Sequence, residues 1–292
     1  MSAKKTLLEV THETFLGHWA HQKDGRRSLE RAKACLAVLG EATFVDEITG
    51  ATLADLAIFF AAKGLGPATV NRNLSAIRKV LSVAERRGYI TRAPSVEHRR
   101  EPRGRTLVIT PDEFDRVAGH VGRSVGGRYE RFLRFLWDTG MRLSEALSVR
   151  GSDLEMTPGG DMLIHVRDTK NGDDRVVPAT ARVRADLYFT VGLDSPIFGG
   201  GHDIRVYRST LQHAWKRAVD VLIAYERRPE FVIHAIRHTC ASRLLNNGVP
   251  ITTIQKWLGH RDIKTTSRYA HLATGALVEA AKTLETLQGT NP

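Results

Sequence analysis

Val70, Leu74, Ile77, Leu81 and Ala84 recur at the three-and-four spacing of one buried helical face. The pattern predicts a helix over Thr69–Arg87, with Pro67 fitting its entry and Gly88 its exit. The rest of the first hundred residues reads the same way, as helices joined by short turns. From Arg92 to Arg105 the periodicity stops: this run holds two prolines, one glycine and five arginines, and reads as an extended linker. Thr110-Pro-Asp-Glu then supplies a capping threonine and a proline suited to a first helical turn. A second clear helix, about Tyr129–Thr139, ends at Gly140, and Leu143–Val149 looks like the start of another. Met162, Ile164 and Val166 alternate as in a strand, Asn171-Gly172 is a sharp hairpin signal, and Arg175-Val-Val-Pro returns as the partner. From Arg205 to the end helices dominate again, the last an amphipathic one over Thr274–Leu287. The prediction is a mainly α protein with a small β-sheet: a helical domain over 1–91, a linker over 92–106, and a mixed, helix-rich domain over 107–292.

Length and composition narrow this only a little. Two domains are the natural expectation for 292 residues. No run of about 18 apolar residues offers a membrane span, and the charged start lacks the apolar core of a signal peptide. Cys35 and Cys240 stand far apart, which suits buried thiols in a reducing cytosol better than a disulfide framework. A cytoplasmic, nucleoid-associated protein is expected.

Charge changes the picture more. The net charge is +11, with a pI near 9.9, and a basic surface favours polyanions, above all nucleic acid. Residues 1–105 carry 18 Lys/Arg against 11 Asp/Glu, whereas residues 106–292 carry 25 against 21. The smaller part is therefore the more basic. Arg72, Lys79 and Arg86 recur every seven residues along one side of the predicted helix, and Arg99, Arg100, Arg103 and Arg105 crowd the linker. A solvated cationic face is the plainer alternative, and the stripe becomes a DNA-facing one only if the rest of the chain argues for DNA.

It does, through a set of chemically pointed residues. Arg142 in Thr139-Gly-Met-Arg-Leu-Ser-Glu145 sits at a helix junction, where its guanidinium can aim at an anion, with Glu145 one turn on to hold it. Lys170 stands beside the Asn-Gly hairpin, from which it can reach a neighbouring cleft. His234 and His238 have the four-residue spacing of a zinc helix, yet Ala235 stands where a metalloprotease needs its glutamate, so zinc is rejected. His234 and Arg237, three apart, share a helical face and can converge on one anion. Leu258-Gly259-His260 allows a tight helix end with an inward imidazole, and Asp262 can cap a helix that carries Tyr269 about two turns along. Singly, each has a bland reading: a surface ion pair, a solvated lysine, a core tyrosine.

Jointly and in this order, these elements resemble the tyrosine recombinase (phage integrase) family of site-specific recombinases. The resemblance covers about Thr110 to Ala273, and more loosely the helical first hundred residues, which look like the family's core-binding domain. Ala235, where many relatives have a polar residue, departs from the pattern outside the catalytic positions. The ending Ser-Arg-Tyr-Ala-His-Leu-Ala is closer to phage-type integrases than to the Xer type that resolves chromosome dimers. The resemblance implies a helical DNA clamp followed by a catalytic domain, and strand cutting through a 3′-phosphotyrosyl link without cofactor, metal or ATP. It implies Tyr269 as nucleophile, Arg142, Arg237 and His260 as phosphate ligands, Lys170 as general acid, His234 as a proton-transfer aid and Glu145 as support. The implied partners are duplex DNA with an inverted-repeat core site, three further copies of the chain in a tetramer on that DNA, and accessory DNA-bending or directionality proteins. The implied role is integration or excision of a mobile element or phage; a non-catalytic DNA-binding protein on the same fold, a type IB topoisomerase-like relaxing enzyme and Xer-type chromosome-dimer resolution are the rival readings.

Overall fold

The computed structural model describes residues 4–22, 24–101, 107–167, 174–199, 203–260 and 262. The chain divides into two compact units, Met1–Gly104 and Arg105–Pro292.

The first unit is helical. Helix α1 (Leu7–Thr14) opens on a reciprocal cap: the Glu9 N–H donates to Thr6 Oγ1, and the Thr6 N–H donates to the Glu9 carboxylate at 2.9 Å. It runs into a π-helical turn, Phe15–Trp19, and is followed by α2 (Gly25–Leu39), α3 (Gly50–Ala62) and α4 (Pro67–Arg86). The five apolar positions that predicted α4 are all buried, and they pack with Leu36, Leu53 and Leu56 in one core. Burying each of the larger ones, Val70, Leu74, Ile77 and Leu81, is worth roughly 1.5–3 kcal/mol. On the other side of α4, Arg72 and Arg86 are exposed and Lys79 is half-buried.

The segment read as an extended linker is held down as far as Glu101. Ala93 and Val96 pack against the first core. Asn71, itself buried, clamps the backbone at Arg99: its Nδ2 donates to the Arg99 carbonyl at 2.8 Å and its Oδ1 accepts the Arg99 N–H at 2.8 Å. A side-chain amide that satisfies both groups of one residue replaces a missing sheet partner. That is why a stretch with no apolar periodicity is nonetheless fixed. Arg99 and Arg100 are left exposed beside it.

The second unit builds on α5 (Pro111–Val125) and α6 (Gly127–Thr139), followed by the short α7 (Leu143–Ser148). Strands β1 (Leu154–Met156), β2 (Met162–Val166) and β3 (Arg175–Pro178) form an antiparallel sheet in the order β1-β2-β3. Met162, Ile164 and Val166 all face inward, as their alternation predicts. Strand β1 was not foreseen, because three residues are too few to show a period. Then come α8 (Ala181–Leu187), α9 (Ile204–Leu222), α10 (Ile233–Asn246) and α11 (Ile251–Leu258). Phe132, Leu133 and Leu136 of α6 lie at the centre of the core, with Phe114 and Val117 of α5, Tyr207 and Leu211 of α9, and the inner face of the sheet. Among the described residues no helix is long and apolar enough to cross a membrane. The Asn171-Gly172 hairpin tip, Lys170, Arg103, Arg105, Tyr269 and the expected helix over Thr274–Leu287 lie outside the described residues.

Candidate active site

Two helix ends make the site. The last carbonyls of a helix have no partner inside it and carry partial negative charge. At the end of α6, Gly140 adopts a left-handed conformation (φ 62°), and a Cβ there would lie 2.8 Å from Cys240 Sγ and 3.0 Å from Leu258 Cδ2. Only glycine lets α10 and α11 approach this junction so closely. The carbonyls it exposes are then taken up from those helices. Trp257 Nε1 donates to the Thr139 carbonyl at 2.9 Å, and Arg237 Nη1 donates to that of Gly140 at 2.9 Å.

The end of α11 repeats the design. Gly259 is left-handed (φ 65°), and the carbonyls around it also receive arginines. Arg175 Nε donates to Trp257 O at 3.1 Å, Arg237 Nη2 to Leu258 O at 2.5 Å, and Arg142 Nη2 to Gly259 O at 3.4 Å. The turn turns His260 inward: the residue is only 9% exposed, and its N–H donates to the Gln255 carbonyl at 3.0 Å. Cations at helix C-termini are favourable by about 0.3–2 kcal/mol each.

Glu145 completes the frame. Its carboxylate accepts the Arg142 backbone N–H at 3.0 Å, Arg142 Nη1 at 2.5 Å and Arg175 Nη2 at 2.7 Å. Burial works against its charge, but the bonds and charge of Arg175 and then Arg142 win, and its pKa falls to about 2. Arg142 is thereby fixed at both its backbone and its guanidinium.

His234 lies in the first turn of α10 and lines a cleft of about 970 Å3, together with Arg237, Met141, Trp215 and Phe231. Its pKa is pushed below the usual histidine value by the packing around it, then by the charges of Arg237 and Arg142. The His234 and His238 rings meet edge to face, with centroids 4.8 Å apart. Among the described residues no group of three or more His, Cys, Asp or Glu could hold a metal ion.

Of the residues singled out by sequence, Arg142, Glu145, His234, Arg237 and His260 belong to this one neighbourhood, although they are spread over more than a hundred positions. Arg72, Lys79, Arg86, Arg99 and Arg100 belong to the first unit. Lys79 is close enough to Arg86 that burial, reinforced by that charge, lowers its pKa. Arg175 was missed, read only as the start of a strand. The signal was its parity: it shares a strand face with Val177, which is fully buried, so an arginine there must point inward.

Guanidinium and imidazole groups thus gather on two buried helix ends beside a cleft, an arrangement whose chemistry suits an anion. The model of the phage integrase family matches residues 108–275, and the chain belongs to that family. Tyrosine recombinase XerC of Brucella suis is 29% identical over 297 residues, covering 96% of this chain and 90% of the relative. The Tn1549 transposon integrase in complex with transposon right end DNA has a similar fold, with a TM-score of 0.73 at 16% identity over 96% of this chain and 100% of that one. A lambda integrase tetramer bound to a Holliday junction gives a TM-score of 0.69 at 17% identity, over 92% and 78%. The protein is a site-specific tyrosine recombinase.

Proposed function

We propose that Tyr269 attacks a scissile phosphodiester of a core site, forming a 3′-phosphotyrosyl bond as the bond to the 5′-oxygen breaks. Lys170 delivers the proton that this oxygen needs. The 5′-hydroxyl of another strand then attacks the phosphotyrosyl phosphorus and releases the tyrosine, so the ester energy is kept and ATP is not required. Arg142, Arg237 and His260 hold the non-bridging oxygens and stabilise the charge that builds on them. His234, its pKa lowered so that the ring is neutral near pH 7, takes up the tyrosine proton.

The observation that carries this reading is the lacing of Arg142 and Arg237 onto two helix ends, which fixes both guanidinium groups before any substrate arrives. The exposed cations of the first unit, Arg72, Arg86, Arg99 and Arg100 with Lys79, would supply phosphate contacts and a steep salt dependence. Arg103 and Arg105, further along the sequence, would add to these contacts. The working assembly is a tetramer on two inverted-repeat core sites, aided by accessory DNA-bending or directionality proteins.

Integration and excision of a mobile element is the role favoured by the sequence around Tyr269. The match to a XerC over nearly the whole chain favours chromosome-dimer resolution as the second reading. Sequencing the DNA trapped on the protein in cells separates the two: element ends for the first, one chromosomal site for the second. The chemistry is tested by Tyr269→Phe, which should bind its site with unchanged affinity and give no covalent adduct on a nicked suicide substrate in a denaturing gel. An adduct in the variant would refute Tyr269 as the nucleophile.

A further inference from the structure

We propose that Arg175 is a positioning residue for the reaction, locking Arg142 and the His260 turn into one rigid frame. The inference rests on the proposed phosphate-binding roles of Arg142 and His260. Arg175 is the first residue of β3, and its side chain is 8% exposed. It reaches two elements at once: Nη2 bonds Glu145 at 2.7 Å on α7, and Nε bonds the Trp257 carbonyl at 3.1 Å at the end of α11.

The fit is tight. A Cβ on Gly259 would lie 2.9 Å from Arg175 Cδ and Nη1 and 3.1 Å from Nε, so the glycine's bare face seats the guanidinium. Arg175 Nη1 is buried without a hydrogen-bond partner among the described residues. Burying a charged donor unpaired is costly, and the position tolerates it because the other donors span two elements. Glu145 passes the constraint to Arg142, and the Gly259 turn passes it to His260. Neither a lysine nor an apolar residue can do this. Lysine is a point charge that can reach Glu145 or the carbonyl, and it lacks the planar fork that joins both.

The test uses Arg175→Met and Arg175→Lys in the full chain, each measured three ways. DNA affinity by fluorescence anisotropy should stay within about threefold, because Arg175 is buried away from solvent. Single-turnover formation of the covalent adduct by bound complex should slow about 10–100-fold, as for other residues that orient a ligand-binding group. That deficit should shrink several-fold on a substrate with a methylphosphonate at the scissile position, which lacks the charge that Arg142 neutralises. A merely destabilised fold would lower the active fraction equally on both substrates. Independently of catalysis, amide hydrogen exchange should quicken at His260 and Arg142 relative to α5. If Arg175→Met does not fold, Arg175→Lys carries the same measurements. Wild-type cleavage rates in either variant, equal deficits on the two substrates, or unchanged exchange at both amides overturns the assignment. Should wild type itself form no adduct, the proposed chemistry fails, and the exchange measurement alone decides the role of Arg175.

Discussion

Glu145→Gln offers a test whose size can be worked out beforehand. The carboxylate is buried between Arg142 and Arg175, and its pKa falls from 4.5 to about 2 on folding. At about 1.4 kcal/mol per tenfold change in proton affinity, this stabilises the second unit by about 3 kcal/mol at pH 7. A second route agrees: removing one partner of a buried ion pair typically costs about 3–5 kcal/mol, because the other charge is stranded. Here the stranded group is Arg175. The sign follows from the direction of the shift. A carboxyl with a depressed folded pKa contributes fully above about pH 4.5, and the contribution fades as pH falls towards 2. The gap between wild type and variant should therefore be about 3 kcal/mol at pH 7, about 2.5 at pH 4 and about 1.5 at pH 3. Urea unfolding followed by near-ultraviolet circular dichroism can read it, since Trp137, Trp215 and Trp257 report the second unit and only Trp19 the first. A gap below about 1 kcal/mol at pH 7, or one that stays constant down to pH 3, would refute the argument that Glu145 is held ionised by two arginines.

Arg142→Ala should depress adduct formation far more than folding, since its side chain is one-quarter exposed (26%), whereas Arg237→Ala should depress both, because its buried guanidinium ties two helix ends. Single-turnover cleavage beside a thermal melt separates the two outcomes, and equal loss of stability in both variants would sink the distinction. Lys170→Ala should be slow on ordinary DNA yet nearly wild type when the bridging 5′-oxygen is replaced by sulfur, a leaving group that needs little protonation. If it is equally slow on both, the lysine is not the acid. Gly140→Ala combines a left-handed backbone with a clash against Cys240 and Leu258, and should cost about 2–4 kcal/mol in urea unfolding. A loss under about 1 kcal/mol would mean that the junction is not close-packed.

Much of the frame was legible because it follows local rules. The buried face of α4, the alternation of β2 and the capped start of α5 are periodic or positional signals, and they sit where those signals put them. Glu145 was found as a partner of Arg142 because the two are three residues apart, within one helical turn. Arg175 was not found as a partner of the same carboxylate because it lies thirty residues away, on another element, and nothing in its flanking sequence names Glu145. The hold on residues 93–101 was missed for a related reason. One buried asparagine twenty-eight residues upstream of Arg99 provides it, and a side chain that satisfies distant backbone leaves no period in the sequence. Pattern finds faces and ends, while pairings across the fold appear only in three dimensions.

Those pairings also explain how a concentration of positive charge is kept available. On the proposed chemistry, arginines that receive a phosphate must be held firmly, and the strongest way to hold an arginine is with a carboxylate. A carboxylate, however, cancels the charge that the phosphate needs. A helix-end carbonyl orients a guanidinium through a hydrogen bond and a dipole, yet leaves its full charge in place. Arg237 is held by two such carbonyls, and Arg142 by one carbonyl plus a share of Glu145. Glu145 in turn divides its single charge between Arg142 and Arg175, so the arginines outnumber the anion that steadies them. The depressed pKa of His234 carries a trace of this surplus: burial is the first cause, and the charges of Arg237 and Arg142 then add to it. Such an arrangement is fixed in advance, so the proposed reaction would need little reorganisation as charge develops on the phosphorus oxygens. The two left-handed glycines make it possible, because each ends a helix sharply enough to turn its last carbonyls towards side chains from elsewhere in the chain.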